Sequence, residues 1–213
     1  MDDGHHVNSG KGEFVATTSV ISVDGARVAY RLHGRGPAVV LVNGTAALDA
    51  HWGPVIAEFS KHRTVISLDY SGSGDTTDDG SALSLQKLAR QVREVARAAG
   101  VDRFDLVGHS LGAAIAIQLA ASSADLVRSL IVVAGFSRGA EPRLKLQFEL
   151  WLDLLRTNRD AFLRLLLLSG LTPAFVSRVG ISMIEDMIKG YMPGSARCEQ
   201  FVALKHLFSG MIK

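Results

Sequence analysis

At 213 residues, with 47% hydrophobic and 21% charged side chains, the chain has the make-up of a soluble globular protein long enough for a large core. A formal net charge of +2, with the positive charges dispersed, gives no electrostatic footprint for nucleic acid or an anionic membrane. The single cysteine, Cys198, excludes an internal disulfide and fits a reducing compartment. The polar, Gly-rich residues 1–13 read as a disordered lead with no basic and apolar leader, so a cytoplasmic location is expected. The adjacent His5 and His6 have no matched partners for a metal, and no metal or other cofactor is expected. The greasiest run, 162–168, contains Arg164 and stops at Ser169-Gly170, far short of the ~20 apolar residues that span a bilayer.

Residues 14–23 and 26–33 are β-rich and split by Asp24-Gly25, a strong hairpin signal. Residues 38–42, 64–68, 104–107 and 130–133 are apolar without alternation, which suits parallel strands buried on both sides by helices. A helix is expected over 52–60. Another follows Ser84 as N-cap, with Leu85, Leu88, Val92, Val95 and Ala99 at helical spacing and Gly100 as the stop. An alanine-rich third helix is expected over 111–121. Strand and helix in alternation imply a doubly wound, mostly parallel α/β sheet, with the leading hairpin adding antiparallel strands at one edge. From Gly139 the character changes to amphipathic helices over 144–155, 161–168, 181–188 and 199–208, read as a helical subdomain over the sheet. The expected organisation is therefore a core over 14–138 and a cap over 139–213.

The most informative stretch is Phe104-Asp105-Leu106-Val107-Gly108-His109-Ser110-Leu111-Gly112-Ala113-Ala114, an apolar strand, then G-x-S-x-G, then a helix of small residues. A serine hydroxyl needs a base to take its proton and donors to hold the oxyanion that forms. A sharp strand-to-helix turn serves both needs: it lifts Ser110 above the strand ends and aims the Leu111 backbone N–H, at a helix N-terminus, toward the oxyanion. Gly108 and Gly112 fall where a side chain would collide with the packed strand and helix. His109, next to the nucleophile, is expected beneath the turn.

Two further motifs precede this elbow: Leu41-Val42-Asn43-Gly44-Thr45-Ala46 after one strand, and Asp69-Tyr70-Ser71-Gly72-Ser73-Gly74-Asp75-Thr76 after the next. A phosphate-binding reading of the second fails, because no Lys-Ser/Thr follows it. With the elbow, these make residues 14–213 resemble an α/β-hydrolase of the serine branch with a helical cap. The resemblance implies an oxyanion loop at Asn43 and Gly44, with the backbone N–H of Thr45 or Ala46 as second donor beside Leu111. Asn43 stands where the family usually carries histidine. The family's haloalkane dehalogenase and epoxide hydrolase branches use aspartate where this chain has Ser110.

The resemblance also implies an acid and then a histidine after later strands. Downstream of Ser110 the only histidine is His206, on the expected 199–208 helix, where packing suits it better than catalysis. No acid follows a strand run, and the segment 130–136 ends in Ser137-Arg138. The expectation is a sheet that lacks its last two strand–helix units, roughly 50–80 residues. The acid and histidine would then lie beyond residue 213, and this chain alone would be inactive and marginally folded. Of the other histidines, His51 is a substrate-pocket candidate beside Trp52, while His33 and His62 sit at strand edges. Phe136, Phe148 and Trp151 are further pocket candidates, and Leu144, Leu155, Phe162, Leu166, Phe175 and Met183 could roof the pocket or pack the cap. The expected reaction is hydrolysis of a small apolar ester, thioester or lactone through a Ser110 acyl-enzyme; a perhydrolase or C–C bond hydrolase would use the same elbow. The competing expectation is a non-catalytic binding or scaffold protein on this fold. A small-molecule substrate and a complementary C-terminal segment are the expected partners.

Overall fold

A computed structural model describes residues 18–44, 52–136 and 142–191. The hairpin joins β1 (Thr18–Val23) to β2 (Ala26–His33), with Val23 opposite Ala26. Asp24 and Gly25 both take positive φ, 48° and 78°, as a two-residue primed turn demands. Then come β3 (Ala38–Val42), α1 (Gly53–Phe59), β4 (Thr64–Asp69), α2 (Leu85–Ala98), β5 (Phe104–His109), α3 (Leu111–Ser122) and β6 (Val127–Val133). The sheet order is β1-β2-β4-β3-β5-β6; β1 and β2 run antiparallel, and the remaining four strands are parallel. This is the doubly wound, mostly parallel sheet with an antiparallel N-terminal hairpin.

Apolarity without alternation becomes two-sided burial in the centre of the sheet. All five residues of β3 are buried, as are the last five of β4. On one face α2 brings Leu88, Val92 and Val95, all fully buried, and α3 brings Ala113, Ile115 and Ala116. Ser84 caps α2 by accepting a hydrogen bond from the Lys87 N–H at 3.1 Å, and Gly100 at φ 71° lets the chain leave it.

The run at 130–133 behaves differently from the expectation of a strand buried on both sides. Leu130, Ile131, Val132 and Val133 are 37%, 51%, 43% and 44% exposed. The reason is position: β6 is the last strand of the sheet, bonded to β5 on one side, and the described helices leave much of its surface uncovered. Apolar sequence signals a surface that prefers burial; it does not supply the covering element.

At the amino ends of the parallel strands a charged clamp ties four of them together. Asp105 on β5 accepts hydrogen bonds from Arg128 Nε at 2.9 Å and Ser129 Oγ at 2.7 Å, both on β6, and from the Arg63 guanidinium just before β4. Arg63 also donates to the Pro37 carbonyl, at the entry to β3. The Arg128 hydrogen bond, supported by Ser129 and Arg63 against the cost of burial, holds the Asp105 carboxyl far below the usual carboxylate range. A folded-state pKa below the unfolded value of about 3.9 adds stability above that value and loses it as pH falls from about 5 toward 2. Asp105→Asn is therefore expected to cost about 2 kcal/mol at pH 7 and to flatten the acid limb of Tm against pH. An acid limb identical to wild type would contradict this.

After residue 141 the described chain is helical: α4 (Pro142–Thr157), α5 (Arg159–Gly170) and α6 (Pro173–Tyr191). The last holds two helical pieces: Thr172 and Pro173 start the first, and the expected 181–188 helix lies in the second. Thr172 Oγ1 accepts from the Phe175 N–H, and Gly180, at φ 76° and ψ 168°, is non-helical and separates the two pieces at a kink. An edge-to-face aromatic chain runs Phe136–Phe148–Trp151–Phe162, with ring centroids 5.5, 5.7 and 5.9 Å apart. It joins the loop after β6 to α4 and α5. The expected 199–208 helix, with Cys198 and His206, lies outside the described residues, as do residues 1–17.

Candidate active site

Ser110 sits between β5 and α3 with φ 55° and ψ −116°, a conformation that costs an L-residue about 1–3 kcal/mol. Its backbone is fastened on both sides. Its N–H donates to the Val133 carbonyl at 2.9 Å, and its carbonyl accepts from the Ala113 N–H at 3.0 Å. Leu111, 1% exposed, is the first residue of α3, where a backbone N–H has no acceptor within the helix.

Two glycines set how closely the turn can pack. A Cβ on Gly112 would lie 2.2 Å from the Val42 carbonyl oxygen and 2.3 Å from that of Asn43. A Cβ on Gly108 would lie 2.4 Å from the Gly112 oxygen and 2.7 Å from Ala113 Cα. All of these are main-chain atoms, so neither site has a flexible neighbour to give way. β3, β5 and α3 therefore meet backbone to backbone directly below Ser110.

The carboxyl end of β3 forms the facing wall. Gly44 is close enough to Ser110 that a Cβ added to it would lie 3.1 Å from Ser110 Cβ and 2.8 Å from His109 Nδ1. His109 is thus exposed beside Gly44 rather than packed beneath the turn. The missing side chain of Gly44 leaves the room that the imidazole takes. Partial desolvation pushes the His109 pKa below the ordinary histidine value. Asn43 is 1% exposed, and neither its Nδ2 nor its Oδ1 has a hydrogen-bond partner among the described residues. Thr45, Ala46 and His51 lie outside the described residues.

The other pocket candidates divide. Trp52 packs with Val39, Leu41, Ile56, Val65 and Val107 on the α1 side of the sheet. Phe148 and Trp151 are 3% and 6% exposed, inside the aromatic chain that Phe136 begins. His33 pairs with Val65 at the start of β4, and His62 lies in the turn leading into that strand. Both are at the end of the sheet opposite Ser110. Among the described residues no group of three or more His, Cys, Asp or Glu could hold a metal ion, and no helix is long and apolar enough to cross a membrane.

Sequence reasoning singled out the Asp69–Thr76 motif without finding its connection to the site. Tyr70, fully buried, donates its hydroxyl to the Gly44 carbonyl at 3.0 Å. The available signal was a bulky aromatic one residue past a buried strand, in a motif otherwise built of small and polar residues.

A six-stranded, mostly parallel sheet with an antiparallel hairpin, and a tight serine turn at the carboxyl end of a central strand, define the alpha/beta hydrolase class. The sequence model described as alpha/beta hydrolase fold matches residues 37–178, and the chain belongs to that family. Over 173 residues it is 42% identical to the Pyrrolizixenacetamide deacetylase of Xenorhabdus hominickii, a match covering 81% of this chain and 65% of that protein. The chain thus spans about two thirds of that relative's length. Among solved structures, the alpha/beta hydrolase MGS-M2 from a Medee basin deep-sea metagenome library superposes with a TM-score of 0.81 at 17% identity, covering 92% of this chain and 72% of that one. The enol-lactonase of Burkholderia xenovorans LB400 gives 0.72 at 20% identity, covering 91% and 74%. These two show the shared fold; the deacetylase's name supports hydrolase activity.

Proposed function

We propose that the protein carrying this chain is a serine hydrolase that cleaves a small apolar acyl compound, an ester, thioester or lactone, through an acyl-enzyme on Ser110. The observation that carries this reading is the strained Ser110 backbone at the head of α3, held by two glycines that admit no side chain. Strain of this kind persists where it serves a site. The Ser110 oxygen attacks the acyl carbon as a base takes its proton, giving a tetrahedral oxyanion. The Leu111 N–H and an N–H from Thr45 or Ala46 hold that oxyanion. Collapse breaks the bond to the leaving group, which departs with the proton from the base; water then repeats the sequence to release the acid.

The base and its orienting acid are assigned to the protein beyond Lys213. In support, His33 and His62 lie at the far end of the sheet, and the match covers 65% of the deacetylase's length. The relative's name also brings short acyl groups on nitrogen into the set worth testing. The full-length protein is expected to turn over at least one member of a panel of acetate ester, thioacetate, lactone and acetamide, in a manner that requires Ser110. No turnover of any member by folded protein would overturn the reading. It would favour a non-catalytic binding protein on this fold.

A further inference from the structure

The motif after β4 has no role in that chemistry, yet it is one of the most heavily bonded parts of the molecule. Asp69, 2% exposed, accepts from the Asp75 N–H at 3.0 Å and from Arg31 at 3.2 Å. Gly74 packs so tightly on it that a Cβ there would lie 2.0 Å from Asp69 Cγ. Thr76 Oγ1 donates to the Asp69 carbonyl and accepts from the Ala29 N–H at 2.8 Å. Gln91 of α2, fully buried, accepts from the Ser71 N–H at 2.9 Å and donates to Ser71 Oγ at 2.8 Å. Ser73 donates to the Tyr70 carbonyl through both its Oγ, at 2.7 Å, and its N–H, at 2.9 Å. Every one of these bonds immobilises the backbone on either side of Tyr70.

What the clamped tyrosine reaches is the Gly44 carbonyl. We infer that Tyr70 is a positioning residue of the Ser110 site, and that the turn after β4 exists to hold its hydroxyl against the Gly44 peptide. The inference rests on the serine-hydrolase reading. A trans peptide is planar, with its C=O and N–H pointing in opposite directions. A donor on the Gly44 oxygen therefore fixes the plane of the N–H in the same peptide unit, and polarises that N–H as a donor. Gly44 in turn lies against Ser110, so the setting of this peptide is felt at the nucleophile. Burial, with Asp69 adjacent, pushes the phenol pKa well above the ordinary tyrosine value, so the hydroxyl keeps its proton throughout the working pH range.

The test compares wild type, Tyr70→Phe and Ser110→Ala in the full-length protein. Phenylalanine removes the hydroxyl and keeps the ring, so the core is preserved. Losing an oxyanion donor outright costs about 10²–10³ in kcat; misaligning one is expected to cost about 10–100-fold, with KM changed by less than about threefold. A merely structural role would leave kcat per folded molecule unchanged. Hydrogen exchange supplies a readout independent of turnover. The Gly44–Thr45 amide is expected to exchange at least about fivefold faster in Tyr70→Phe, with α2 amides unaltered. If wild type lacks Ser110-dependent turnover, the hydrolase reading fails and, with it, this role for Tyr70. If wild type turns over and Tyr70→Phe matches it in kcat, or exchange at the 44–45 amide is unchanged, the inference on Tyr70 is overturned and the hydrolase reading stands.

Discussion

Ser110→Ala in the full-length protein is expected to lower kcat by at least about 10⁴-fold on any substrate the wild type hydrolyses, with Tm the same or higher. The size of the loss follows from covalent catalysis. Without the hydroxyl no acyl-enzyme forms, and what survives is the contribution of oxyanion donors and binding. The sign of the stability change follows from the backbone. Ser110 holds φ 55° and ψ −116° as part of the turn, and its hydroxyl caps no helix N–H, so removing the hydroxyl takes away no hydrogen bond that supports α3. A fall of less than about tenfold would show that Ser110 is not the nucleophile. A large fall in Tm would show that the variant reports on folding instead.

The second large effect is expected at Gly112, on stability. Gly112→Ala would place a methyl group 2.2 Å from the Val42 oxygen and 2.3 Å from the Asn43 oxygen. Val42 ends β3 and Asn43 follows it directly; β3 is buried throughout and bonded to neighbours on both edges, so relief requires moving a central strand. We expect a loss of about 3–5 kcal/mol, the upper end of overpacking. For a protein of this size that lowers Tm by roughly 10 °C. Gly100→Ala is the matched control. Its φ of 71° charges an alanine about 1–2 kcal/mol, but nothing lies within 4 Å of the new methyl group. Equal losses at the two positions would mean that the close approach of α3 to β3 costs an alanine no more than a left-handed backbone does.

Much of the architecture was legible because central strands and capped helices carry their environment in their composition. The apolar runs of β3 and β4 are buried on both faces, and Ser84 and Gly100 bound α2 as their chemistry demands. The strained turn at Ser110 was equally readable, since two glycines flanking a serine between a strand and a small-residue helix leave few other geometries. What was not legible depends on partners distant in sequence. The exposure of Ile131 and Val132 is a property of where β6 falls in the sheet order, which its own residues do not encode. His109 shares a backbone with Ser110, but the space that receives its ring is left by Gly44, far earlier in the chain. The Tyr70–Gly44 hydrogen bond joins residues 26 apart across the carboxyl ends of two neighbouring strands, and no local periodicity announces it. Gly180 was legible as a boundary, since its non-helical backbone separates the expected 181–188 helix from the piece before it; that earlier piece, begun at Pro173, was not read.

The central proposal is that Ser110 is a nucleophile whose base lies outside these 213 residues. The most direct test is labelling with a fluorophosphonate probe, applied to the full-length protein, to its Ser110→Ala variant and to the 213-residue chain alone. The account predicts labelling of the full-length protein that disappears in the variant and is absent from the 213-residue chain. Ser110-dependent labelling of the 213-residue chain at the full-length rate would contradict it by placing a working base among residues 1–213. A full-length protein that stays unlabelled would contradict it at the nucleophile itself.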